Sequence, residues 1–171
     1  MMETKKSVIQ KNLFYSLAVF VLYIMQTTPG FLSISGVKPA PLYAAAIAIA
    51  LFEEPFEGSV YGLTIGLLCD TSGFAFFGFN AFFLGLCCFL AGMLVARIFR
   101  PTLATYLLYV LTATFFLLNL LFVFEYGIWR LEDLRLVYYN KVLYQTVYTL
   151  VISPIIFAVF KLIKEKFSSD V

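Results

Sequence analysis

Apolar residues in this 171-residue chain come in long blocks broken by short polar or proline-containing stretches. They neither alternate at period 2 nor fall in one-sided stripes at period 3.6. Blocks of this kind predict helices that cross a bilayer, because a span needs about 20 mostly apolar residues to bridge a hydrocarbon core of ~30 Å. The first span is expected over about 12–28 and ends at Pro29-Gly30, where a donor is lost and positive φ is permitted. A short external linker through Gly36 leads to a second block, about 39–52. It opens on Pro39 and Pro41 and runs through alanine-rich sequence to Glu53 and Glu54, and it is short for a span. Glu54-Pro55-Phe56-Glu57 then reads as a fresh helix start, with proline in the first turn and carboxylates at the positive end of the dipole, for a third span over about 55–71. Two longer spans follow, about 79–96 and 102–124, divided by Arg97, Arg100 and Pro101. Residues 125–139 mix charges with apolar residues at helical spacing, and Trp129 suits an interface, so an external helix lying on the membrane surface is expected there. The last span, about 141–160, contains Pro154 and ends at Lys161, Lys164 and Lys166. The expectation is one all-α integral membrane domain with six transmembrane helices.

Composition agrees with that pattern. At 62% hydrophobic and 13% charged residues, with mean hydropathy +0.93, the chain cannot assemble a soluble surface, and the lipid bilayer is its solvent. A net charge of +2 without a long basic run argues against nucleic acid as a partner. Six spans with the N-terminus inside put Lys5, Lys6, Lys11, Arg97, Arg100, Lys161, Lys164 and Lys166 on the cytoplasmic side and only Lys38, Arg130, Arg135 and Lys141 outside. That asymmetry predicts cytoplasmic N- and C-termini. A re-entrant hairpin made of the second and third blocks fits the same count. It would bury Glu53, Glu54 and Glu57 near mid-membrane at roughly 2.5–3.5 kcal/mol each, against only fractions of a kcal/mol per Å of mismatch, so six spans are favoured over four plus a hairpin. The apolar stretch after Lys11 is expected to be retained as the first span and not cleaved as a signal.

Candidate chemistry is sparse. The chain has no histidine, and Cys69, Cys87 and Cys88 sit inside apolar blocks, so they read as packing residues and no metal site, disulfide or cofactor is expected. An intramembrane aspartyl pair is missing, since Asp133 and Asp170 lie in a loop and a tail. No serine stands in a strained Gly-x-Ser-x-Gly turn, and no enzymatic activity is expected. The most specific local pattern is Gly58, Gly62, Gly66 and Asp70, which recur every fourth residue on one stripe of the third helix. Such a stripe lets another helix approach closely. The approaching helix is either the protein's own, with Ala44/Ala48 and Ala46/Ala50 as mates, or a partner's. Asp70, roughly 22 Å along the helix from Pro55, is expected near the outer membrane boundary. It reads either as a functional carboxylate with Lys38 across the loop or as a helix-terminating residue followed by Thr71-Ser72-Gly73. Asn80 at the start of the fourth helix is expected either to bond back toward the Asp70 loop or, as the favoured reading, to act as a cap-like residue. Asn119 is the main polar residue of the fifth span.

Three segments carry a family resemblance: Gly36-Val37-Lys38-Pro39, Gly62-Leu63-Thr64-Ile65-Gly66-Leu67-Leu68-Cys69-Asp70, and Gly78-Phe79-Asn80-Ala81. Over about 36–92 the chain resembles the rod shape-determining MreD family, with Lys38, Pro39, Gly66, Asp70, Gly78 and Asn80 matching. It departs at Ala40, where family members often carry a polar or acidic residue. The resemblance implies a bacterial inner-membrane scaffold of the cell-elongation machinery that binds MreC, and through it MreB and the peptidoglycan synthases, with no reaction of its own. It also implies a six-helix fold like that of the substrate-binding subunits of energy-coupling-factor vitamin transporters. That likeness supplies the alternative function, in which Tyr126, Trp129, Arg130 and Arg135 would cap an external ligand.

Overall fold

The computed structural model describes residues 2–28, 30, 37–72, 77–98, 100–126 and 138–168. Six α-helices run in chain order: α1 Met2–Thr27, α2 Pro41–Phe52, α3 Pro55–Ser72, α4 Phe79–Arg97, α5 Leu103–Tyr126 and α6 Gln145–Ser168. A π-helical turn and a half, Tyr139–Tyr144, leads into α6. The segments expected from hydropathy overlap these elements, although residues 28, 39, 40 and 102 fall just outside their helices and 141–144 belong to the π-helical turn. Helix α1 starts ten residues earlier than its apolar block and α6 continues past Phe160 through its lysines, because backbone hydrogen bonding continues where hydropathy stops. The expected surface helix over 125–139 falls largely on residues 127–137, outside the described residues.

Four helical stretches are long and apolar enough to cross a membrane: Val8–Thr27, Phe79–Arg97, Leu103–Phe124 and Lys141–Phe167. The protein is a multi-pass membrane protein. Helix α2 is a shorter apolar helix of 12 residues, about 18 Å long. It forms the axis of the molecule. The other five helices stand in a ring, each beside its neighbour in the order α1, α3, α4, α5, α6 and back to α1, and all five touch α2. Every residue from Pro41 to Leu51 is buried. This explains why the α2 sequence shows no polar face: a helix that is apolar all round belongs in an interior. It also explains the alanines, since Ala44, Ala45, Ala46, Ala48 and Ala50 let neighbouring backbones close in from every side.

The α3–α4 pair is the most extensive contact of the bundle. Helix α1 is the least embedded of the four long spans and leaves Ile9, Leu13, Leu17, Phe20 and Ile24 on the outside. In lipid an apolar outer face is satisfied without a protein partner.

The bundle has two ends. At one, the turn between α2 and α3 lies beside Lys11 of α1 and Lys164 of α6. At the other, the α2 start meets Gln26 of α1, Asn80 of α4 and Thr149 of α6. Because Thr149 is eight residues, about 12 Å, along from Lys141, α2 begins well inside the bundle. Its first N–H groups would be orphans there. Two are met from outside the helix: Ala40 donates to Thr149 Oγ1 at 2.9 Å, and Leu42 donates to Gln26 Oε1 at 3.4 Å.

Candidate functional site

Two polar clusters interrupt the apolar interior, one at each end of α2. The first is built on Asp70. Glycine at position 66 allows it, since a Cβ there would come within 2.6 Å of Ala81 N and Asn80 O, so only glycine lets the first turn of α4 lie against α3. One turn beyond Gly66, the Asp70 carboxylate then reaches the start of α4. Oδ2 accepts the N–H groups of Gly78 at 3.0 Å and Ala81 at 3.2 Å, and Oδ1 accepts the Asn80 N–H at 3.0 Å and its Nδ2 at 2.9 Å. Gly78, at φ +90°, holds the left-handed turn that aims these groups together. Asn80 Oδ1 in turn accepts the Tyr43 hydroxyl at 2.6 Å, which ties α2 into the cluster. Asp70 is only 4% exposed. A negative charge at a helix N-terminus is favoured by the dipole, so the carboxylate of α3 serves as the cap of α4.

This arrangement bears on two expectations. Asn80 is not the cap-like residue: it bonds back to Asp70, and the N-cap position, Gly78, has no side chain to offer. Lys38 is exposed and is not among the partners of Asp70 within the described residues, whose donors come from Gly78, Asn80 and Ala81. Pro39 is buried at the entry to α2.

The glycine stripe is occupied within the chain. Gly58, Gly62 and Gly66 are all buried. A Cβ on Gly58 would meet Ala50 Cα at 2.8 Å, and one on Gly62 would meet Cys88 Sγ at 2.8 Å and Gly85 Cα at 3.1 Å. Of the alanines expected as mates, Ala50 stands against Gly58, while the atoms nearest Gly62 and Gly66 belong to α4. No comparable pattern marks α4, because its close positions, Ala81, Gly85 and Cys88, are mixed residue types.

The second cluster centres on Glu53, whose side chain is 4% exposed although it follows directly on α2. Lys11 Nζ lies 2.6 Å from Oε2, Lys164 Nζ lies 3.1 Å from Oε1, and the fully buried Tyr15 hydroxyl donates to Oε1 at 3.0 Å. One carboxylate thus joins α1, the α2–α3 turn and α6. A cleft of about 510 Å³ opens beside it, lined by Glu54, Glu57 and Gly92 among others. Sequence reasoning singled out neither Tyr15 nor the pairing of Glu53 with two lysines. The signal was partial: the charge count put Lys11, Lys164 and Glu53 at the same membrane face, but spacing along the chain says nothing of which span stands next to which.

Asn119 accepts the Tyr138 hydroxyl at 2.9 Å, closing α5 against the start of the π-helical turn, while its own amide donates to Phe115 O. Among the described residues no group of three or more His, Cys, Asp or Glu side chains is placed to hold a metal ion. Both clusters do the same kind of work, satisfying buried charges and helix ends across helices. Trp129, Arg130 and Arg135 lie outside the described residues, as does the side chain of Tyr126.

A family model described as rod shape-determining protein MreD matches residues 5–166, which contain both clusters and all but the outermost residues of the ring of helices. Comparison with curated proteins and with solved structures returns no match.

Proposed function

We propose, starting from the fact that the chain belongs to the MreD family of rod shape-determining proteins, that it is a membrane scaffold of the cell-elongation complex whose direct partner is MreC. Family membership makes it a structural, multi-pass membrane protein with a role in rod shape determination. The proposal adds that it catalyses nothing and acts through the single-pass MreC, linking cytoplasmic MreB filaments to the peptidoglycan synthases. One observation carries this reading. Both deep carboxylates, Asp70 and Glu53, are consumed in holding helices together, so the polar groups that a transporter or enzyme would aim at a substrate are here spent on the fold.

The topology belongs to the same proposal: six spans, both termini cytoplasmic, in the bacterial inner membrane. In its favour, Glu53 stands level with Lys11 and Lys164, near the ends of the first and last spans, and not at the mid-depth a re-entrant hairpin would give it. The glycine stripe serves the scaffold by building the α3–α4 pair, which leaves the lipid-facing sides of the ring for MreC. Likeness to the energy-coupling-factor substrate-binding subunits remains an implication of the family resemblance, and the residues invoked for a capped vitamin lie outside the described ones.

Purification of the tagged protein from membranes, followed by mass spectrometry of what accompanies it, tests the proposal. MreC is the expected companion. A purified protein that binds a small vitamin tightly and brings down an ATPase module without MreC would replace the scaffold by the transporter subunit.

A further inference from the structure

Helices α4 and α5 follow one another directly, yet they pack thinly. The reason is that α4 has turned its close-packing side, Ala81, Gly85 and Cys88, toward α3, leaving Leu86, Leu90 and Leu94 for α5. Between them lies an apolar crevice of about 480 Å³, floored by Ile47 of α2 and Ala91, and walled on the α5 side by Tyr109, Thr112 and Phe116.

Three observations identify what fits it. The first is depth: Leu86 to Leu94 covers about 12 Å of helix, less than half of a ~30 Å hydrocarbon core. A transmembrane helix runs the full thickness, whereas an acyl chain stays within one leaflet. The second is charge. Arg97 lies seven residues after Leu90 and so continues the same face of α4, about one turn beyond Leu94, where the crevice reaches the membrane surface. Arg100 follows in the connection, both arginines are exposed, and neither is paired with a carboxylate among the described residues. The third is the start of α5, where the Thr102 and Thr105 hydroxyls lie 2.8 Å apart at that same end and the helix dipole presents its positive pole. An apolar slot of one-leaflet depth that ends in two arginines and a helix N-terminus matches the shape and charge of a lipid.

We propose that the α4–α5 crevice binds one anionic phospholipid, with an acyl chain against Ile47, Leu90 and Ala91 and the phosphate held by Arg97 and Arg100. Basic residues at the foot of an interhelical crevice recognise anionic headgroups in this way. The assignment rests on the six-span reading only in naming the leaflet, which is the cytoplasmic one.

Native mass spectrometry of the whole protein released from nanodiscs, with phosphatidylglycerol and phosphatidylcholine of identical chains, tests it. One phosphatidylglycerol is expected to be retained at least about tenfold more tightly than phosphatidylcholine. The double variant Arg97→Gln/Arg100→Gln should remove that preference. Thr112→Trp, placed at an exposed rim position so that the ring fills the slot without entering the core, should weaken both lipids. Melting temperatures within a few degrees of the parent's serve as the check that each variant is folded. Equal retention of the two lipids, or retention unchanged in folded variants, overturns the site. Cross-linking of a Leu90→Cys protein to the MreC helix also overturns it, by giving the crevice to the partner. Failure of the scaffold proposal is read separately: the arginine variant should still copurify with MreC, and a parent protein that keeps its phosphatidylglycerol without capturing MreC sinks the scaffold alone.

Discussion

Four N–H donors converge on the Asp70 carboxylate, three of them from the backbone of α4's first residues and its N-cap. Asp70→Asn keeps the shape but turns one acceptor into a donor facing other donors and removes the charge that the helix dipole favours. A loss of about 1–2 kcal/mol is expected, and about 3 kcal/mol for Asp70→Ala, which leaves buried N–H groups unmet. Melting temperatures in detergent should rank parent, Asn and Ala in that order. The glycines should rank as well. At Gly66 the obstacle is α4 backbone, which cannot step aside, so Gly66→Ala should cost ~3 kcal/mol, whereas at Gly62 the nearest atoms, Cys88 Sγ and Cβ and then Gly85 Cα, stand slightly farther off and alanine should cost less, about 2 kcal/mol. Leucine at either position should leave little folded protein on size-exclusion chromatography. The stripe itself was visible as a four-residue repeat and Ala50 as one mate, but the α4 side of the groove was not, because Ala81, Gly85 and Cys88 make no uniform repeat and only geometry shows that they share a face. The cap was hidden for a related reason: helix signals assign caps to the residue before a helix, and here the capping group comes from the preceding helix.

Among the elements, α2 shows most directly how pattern and position connect. Its length made it doubtful as a span, while its unbroken apolar and alanine-rich character already marked a helix with no face toward water. Five surrounding helices account for both properties. Helix α1 is the opposite case. Its hydropathy is ample, yet it meets the bundle along a narrow seam of Tyr15 and Val19, held toward its N-terminal end by the Lys11–Glu53 pair. Glu53→Gln should cost only about 1–2 kcal/mol, less than a fully buried pair would lose, because Lys164 is 32% exposed and can turn its ammonium to water. Its larger effect should be on attachment. Phe14 and Phe167 stack with ring centroids 5.3 Å apart, so a Phe14→Cys/Phe167→Cys protein should be joined readily by a short bismaleimide, which spans the space the two rings leave, and several-fold more slowly when Glu53 is glutamine. An unchanged rate would show that the seam alone holds α1.

At the scale of the whole molecule, the blocks of hydropathy gave the number of helices and their order, and the lysines and arginines gave a direction. Neither could give the ring, since which span stands beside which depends on small residues whose partners are distant in sequence. The direction is open to a direct check: a cysteine at Glu54, which is exposed beside the α2–α3 turn, should react in intact cells only with a membrane-permeant reagent. Labelling by an impermeant reagent from outside would reverse the topology. The axial place of α2 has one more consequence, in the order of manufacture. The ribosome delivers α2 after α1, but the other walls that enclose it, α3 to α6, come later in the chain, and α6 emerges after the rest of them. Until then a helix of 12 residues, too short to hold itself across the bilayer, must wait at the membrane with its opening N–H groups unmet by Thr149. A chain stopped before α6 should therefore be cleared by proteases, while one that includes α6 persists. A helix made well after α2 is thus the one that permits α2 to exist.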